Sequence, residues 1–284
     1  MNDLFRTLLL LSTFVAVCVA LALRIGGPAV LPMALATGGV LALVLLFGAG
    51  PLLLRLYRAQ PADETSAPGL VRLMRELAAQ AGLPAPRVWI IEERSPSAFA
   101  TCVAPRGAAV ALTTGLLALL TERELRAVLA HELAHIRRRD TRAASLCVTL
   151  AGALPLLALA ALAVLGGGDD DDEAPAGPQA WLLAALAPLA AAIVLLALDR
   201  GREYEADRWA AELCGDPAAL ADALGKIERA GECLPLRAAE RHPQTAALLI
   251  VPPGMARGWR RLLASQPSAA GRIQRLRALV APQV

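Results

Sequence analysis

Charge is scarce in this sequence. Only 19% of its 284 residues are Asp, Glu, Lys or Arg, against 56% apolar, a balance too oily for an ordinary soluble enzyme. Lysine is almost missing: Lys226 is the only one. The net charge of +3 excludes the strongly basic face that nucleic-acid binding requires. Cysteine is sparse and ill-spaced. Cys18, Cys102, Cys147, Cys214 and Cys233 form an odd set with no C-x-x-C, which excludes a disulfide framework. All five read as free thiols facing a reducing compartment or lipid. Histidine occurs three times, and there is no internal repeat, phosphate loop or dinucleotide fingerprint.

What the sequence has instead is long uncharged runs. Four are long enough to cross a bilayer, which takes roughly 20 residues. They are Thr7 to Leu23, a stretch within Ile25 to Leu54 starting near Val30, Ala143 to about Leu165, and about Gln179 to Leu198. Trp181 and Tyr57 lie near span ends, where amphipathic rings favour the membrane interface. A cleavable signal peptide is the rival reading of the first run. The second run follows at once, however, and Gly26, Gly27 and Pro28 suit the turn of a helical hairpin. Soluble core helices are the other rival for all four runs, but an uncharged stretch from Arg24 to Arg55 is foreign to a soluble domain.

The chain therefore divides into a membrane hairpin (1–54), a first extramembrane part (55–142), a second hairpin (143–198) and a C-terminal part (199–284). Arginine is dense in 55–142 and 200–284, whereas the loop 166–178 carries Asp169 to Asp172 and Glu173 and no basic residue. The positive-inside rule puts both large parts in the cytoplasm and the acidic loop outside. Arg24 is the weak exception. The expected location is the inner cell membrane, multi-pass. The acidic run reads as a solvated loop rather than a cation site.

Two of the three histidines stand in His131-Glu132-Leu133-Ala134-His135. Thr121 and Glu124 form a capping box that starts a helix. Leu125, Val128, Leu129, Leu133 and Ile136 give it an apolar stripe. On that helix the two imidazoles sit one turn apart on one face and can reach one ion at about 2.0–2.1 Å. Glu132, beside them, is placed to take up a proton from water at the metal.

A catalytic zinc wants three protein ligands and an open position. Glu203 and Asp207 are four apart and share a helix face. Glu203 is the candidate third ligand. Asp207 is the candidate acceptor for the far ring nitrogen of His131, which would fix its tautomer. Glu205 points elsewhere. Taken alone, this stretch also reads as an exposed acidic helix pairing with Arg200, Arg202 and Arg208. Topology favours the ligand reading: two membrane crossings between His135 and Glu203 return the chain to the side it left.

With these motifs the sequence resembles the HtpX-type membrane zinc metalloproteases, relatives of the CAAX prenyl proteases. The resemblance covers about residues 68–147 and 195–280. It includes AGLPAPRVWIIEERSPSAFAT, GAAVALTTGLLALLTERELRAVLAHELAHIRRRD and DRGREYEADRWAAELCGDPAALADAL. It implies zinc ligands at His131, His135 and Glu203, one Zn2+ per chain, and a general base at Glu132. Two departures stand out. The family's Asn-Ala-Phe-Ala on the cleft strand is Ser97-Ala98-Phe99-Ala100 here. The family's auxiliary His, in its His-Pro followed by Arg-Ile, corresponds to Gln266, with Arg272-Ile273 retained. An amide at Gln266 could still donate to an oxyanion, as could Arg272. His242 corresponds to the family's upstream segment and reads as a surface or core residue.

The expected fold is mainly α with a small β-sheet, a gluzincin-like protease domain with four membrane helices. Strands are expected at Val88–Ile91, Phe99–Val103 and Ala108–Thr113, the last two joined through Pro105-Arg106-Gly107. The edge at Ser97, Ala98, Phe99 and Ala100 could hold an extended peptide by strand addition. The helices Trp209–Cys214 and Pro217–Ala230 read as scaffold, and Asp140 as a brace at the end of the active-site helix.

Partners expected are protein or peptide substrates and the lipid bilayer, with no nucleic acid; no feature specifies an oligomeric state. The resemblance implies an endopeptidase acting on membrane or misfolded proteins. The rivals are a catalytically silent zinc-binding scaffold and a processing protease with one dedicated substrate. Retention of Glu132 speaks against the first, because a structural zinc needs no base.

Overall fold

A long apolar helix, α1 (Leu31–Leu56), leads into the sheet and site. In this computed structural model the described residues are 31–104, 107–139, 143–153, 201–234, 236–251 and 266–280, with 12, 15, 19, 29 and 141 singly. The fourth expected span, all of the first but residues 12, 15 and 19, most of the third, the acidic loop, Cys18, Trp181, Asp140 and the Pro105-Arg106 turn lie outside them.

After α1 come β1 (Gln60–Ala62), α2 (Pro68–Gln80), β2 (Arg87–Ile91), β3 (Ala98–Ala104), β4 (Gly107–Thr113), α3 (Thr114–Leu119) and α4 (Glu122–Arg138). Then follow α5 (Ala143–Ala153), α6 (Gly201–Cys214), α7 (Pro217–Cys233), α8 (Arg237–Arg241), a 3-10 turn (Pro243–Leu248) and α9 (Ala269–Val280). The expected strands are present, each a residue or so longer; β1 was not foreseen. The sheet order is β1-β2-β4-β3, with β2 and β4 parallel and the other pairs antiparallel.

Alternate side chains of a strand point to opposite faces, and both faces of this sheet are covered. On one face Ala98, Ala100, Val110 and Leu112 join Val128, Leu129 and Leu133 of α4 in the main core, with Leu220 and Leu224 of α7. On the other, Phe99, Ala109 and Ala111 pack with Leu54, Tyr57, Leu236 and Leu249. This is why β4 reads as an unbroken apolar run rather than an alternating one.

Among the described residues no single helix is long and apolar enough to cross a membrane. The bent pair Leu31–Val44 and Phe47–Leu56, at 56°, meets the length and composition test. It falls where the second span was expected and exposes Met33, Leu35, Val40, Leu43, Val44 and Phe47. Tyr57 departs from its expected interfacial place. It is buried, its ring 5.1 Å from that of Phe99, and its hydroxyl is hydrogen-bonded to Thr245 Oγ1 at 2.6 Å. The end of α1 packs on the sheet, so the ring finds protein there.

The helix α1 also closes part of the sheet edge. A Cβ built on Gly50 would overlap the backbone carbonyl of Cys102 in β3. Only a glycine lets the two backbones meet so closely.

Candidate metal centre and active site

The active-site helix begins with the expected capping box. The Thr121 hydroxyl and Glu124 exchange bonds with each other's backbone N–H. Lys226 of α7 adds an ammonium 2.7 Å from the same Glu124 carboxylate, which lies well placed at a helix N-terminus. Arg139 ends the helix in the left-handed region at φ 60°. Small buried residues let α4 and α6 approach closely: Ala127, Ala130 and Ala134 on one, Ala206 and Ala210 on the other.

That contact brings the predicted ligands together. His131 and His135 meet edge to face with Nε2 atoms 3.2 Å apart. Glu203 offers Oε2 at 3.6 Å from His131 Nε2 and Oε1 at 3.7 Å from His135 Nε2. Donors around a tetrahedral zinc, at about 2.0–2.1 Å each, stand roughly 3.3 Å from one another. The three donors, all within 4.8 Å of one another, fit a single Zn2+. His131 and Glu203 are buried, while the His135 side chain keeps 14% exposure, so solvent reaches the cluster on one side.

Asp207 stands where the helix spacing put it. Its Oδ1 is 3.0 Å from His131 Nδ1, which assigns the proton to Nδ1 and turns the Nε2 lone pair to the cluster. Glu205 faces outward and pairs with Arg138, and Arg208 pairs with Glu212 on the surface. Arg202 is buried instead, 3.5 Å from Glu203.

Arg272, 1% exposed, is the cation at the centre of the site. Its Nε and Nη2 donate to the two oxygens of Asp207 at 2.8 and 2.7 Å, a bidentate pair. Its Nη1 donates to the Ile250 carbonyl at 2.7 Å and lies 3.5 Å from Glu203. Burying a guanidinium is tolerable only with such partners.

These neighbours set the ionisation. Burial pushes the Glu203 carboxyl up, but His135, His131 and Arg272 outweigh it and hold the group well below the usual range. The same contest, with Arg272 the main counterweight, leaves Asp207 at about 2. His131 is pushed down by burial and by Arg272, yet its bonds to Asp207 and Glu203 lift it to about 9 in the metal-free protein, so a metal would have to displace the Nε2 proton to use that lone pair. Among the described buried acids only Glu132 goes up, because burial outweighs the nearby cations. A buried carboxylate raised towards neutrality is a stronger base than a solvated one.

The remaining candidates are divided. Ser97 uses its backbone to pair with Thr113, while its buried hydroxyl meets no partner among the described residues. Ala98, Phe99 and Ala100 are buried in β3, the edge strand. The Gln266 amide donates to the carbonyls of Ala247 and Leu249 at 2.9 and 3.1 Å; both its N–H groups point there rather than at the ligands. His242 is half-buried at the start of the 3-10 turn, apart from the cluster. The residues missed in sequence were Ile250, Lys226 and Arg202. A lone lysine was a signal of a kind; nothing in the pattern marked Ile250.

Two histidines one turn apart, a glutamate between them and a third ligand from a second helix define a zinc metalloendopeptidase of gluzincin type. The chain belongs to Peptidase family M48, whose profile matches residues 64–280. It is 43% identical over 285 residues, the full length of both, to a protease HtpX homolog of Methylibium petroleiphilum. It is 44% identical over 277 residues to one from Ralstonia pickettii, covering 97% of this chain and 96% of that one. The crystal structure of S. mikatae Ste24p shares the fold at a TM-score of 0.52 and 15% identity. That match covers 96% of this chain and 65% of the other, so the present chain spans about two thirds of its length.

Proposed function

We propose that this chain is a membrane-embedded zinc endopeptidase that hydrolyses peptide bonds of membrane or misfolded proteins at the cytoplasmic face. The observation that carries the reading is the placement of Glu132: a buried carboxylate carried between two histidines of a three-donor cluster that fits one ion. Bound zinc supplies Lewis-acid chemistry, polarising a peptide carbonyl and acidifying water. Glu132 takes the proton from the attacking water and hands it to the departing amine. Asp207 keeps the His131 proton on Nδ1. Arg272 holds Asp207 in place and balances the charge of the buried acids. The edge of β3 receives the substrate backbone, which favours extended chains over particular side chains.

The four-span topology and the inner-membrane location rest on hydropathy, arginine placement and kinship with the HtpX homologs. Of the rival readings, the silent scaffold does not account for Glu132, since a structural zinc needs no base beside it. The test is cleavage of β-casein by the purified, zinc-loaded chain beside Glu132→Gln. Loss of a carboxylate base is expected to cost at least about 100-fold in rate with zinc content unchanged. Equal rates in the two proteins sink the mechanism.

A further inference from the structure

The outward edge of β3 is occupied by the chain itself. In the antiparallel pairing with β4, Thr113 bonds Ser97, so residues 97, 99 and 101 turn their backbone groups inward. Ala98, Ala100 and Cys102 turn theirs outward, towards any added strand. The Ala98 carbonyl accepts the N–H of Ile250 at 3.0 Å. At Cys102 the edge meets Gly50 of α1. Ala100 lies between these two covers.

Ile250 is held on that edge from three sides. Its own carbonyl takes Arg272 Nη1, one guanidinium away from Glu203 and His131. Two carbonyls upstream of it, those of Ala247 and Leu249, are gripped by the Gln266 amide. Leu249 and Ile250 bury their side chains in the two cores. Gln266 Oε1 is buried with no partner among the described residues, so the amide acts there through its two donors.

Resting on the endopeptidase reading above, we infer that residues 247–251, the end of the 3-10 turn and the three residues after it, form a resident segment that competes with substrate for the edge of β3, with Gln266 as its clasp. An extended substrate reaches the Ala98 carbonyl only after Ile250 leaves it. Gln266 is thus a positioning residue that sets how often the edge is free, rather than an oxyanion donor.

Hydrogen exchange on the full-length, zinc-loaded Glu132→Gln chain, with and without β-casein, tests this. Casein is expected to protect 98–101 and to deprotect 247–251. Greater or unchanged protection of 247–251 on casein binding overturns the inference, since the segment would then be a fixed wall of the cleft. The near-isosteric Gln266→Leu, with Glu132 intact, removes both donors. It is expected to speed exchange at 247–251 and raise kcat/KM on casein by about tenfold, through a lower KM at similar kcat. A KM that is unchanged or higher overturns the inference. If the unaltered chain cleaves casein while 247–251 stays closed, only the inference fails. If it neither cleaves casein nor changes exchange anywhere, the endopeptidase reading falls and takes the inference with it.

Discussion

His131, Asp207 and Arg272 act as one unit, and each explains the other two. The bidentate guanidinium keeps Asp207 ionised, and the ionised Asp207 keeps the imidazole proton on Nδ1. Asp207→Asn is expected to weaken zinc binding by roughly 10–100-fold, read by competition with a chromophoric chelator. The half of this unit on α6 was legible from the i, i+4 spacing of Glu203 and Asp207. The partner from α9, Arg272, was named as a possible oxyanion donor and not as the partner of Asp207, because no local pattern tells which acid an arginine 65 residues away will meet. Tyr57 gives a second test at this scale. Burial raises its hydroxyl to about 12, against the Thr245 bond that lowers it. A group with a raised pKa stabilises the fold fully below its unfolded value near 10, and that stability is lost as pH rises through 12. Between those limits the loss amounts to about 2–3 kcal/mol. Tyr57→Phe should flatten this fall in denaturant titrations at pH 9 and 11.5.

Helices and strands follow the sequence where local physics decides them. The capping box at Thr121, the apolar stripe of α4 and the three apolar strands were all readable. The strand β1 was not: Gln-Pro-Ala has no strand propensity, and its pairing with β2 comes from the end of α1 lying beside the sheet. Close helix–strand contact was equally hidden, since Gly50 inside an apolar run looks like any small membrane residue. Gly50→Leu should destabilise the fold by several kcal/mol, as overpacking against backbone leaves nothing flexible to yield. Lys226→Met, by contrast, removes only the ammonium from Glu124 at the start of α4. The pair is a third exposed on the lysine side, so a cost of about 1–2 kcal/mol is expected from denaturation curves, with zinc retained.

For the whole molecule, the metal centre was more legible than the membrane. Five residues on two helices determine the first, and helix periodicity is enough to gather them. For the second, a run of leucines and alanines says only that it is apolar. The cytoplasmic placement has a direct check. Cys233 is exposed, and a membrane-impermeant maleimide should label it in opened cells and spare it in intact ones. Labelling in intact cells reverses the proposed orientation.

Because the chain has one lysine, a reagent for side-chain amines finds one address, and that address is the foot of the helix bearing both histidines. A fluorophore attached there, without any engineered residue, would sit beside Glu124 at the start of the helix and test whether that end of it moves on metal binding.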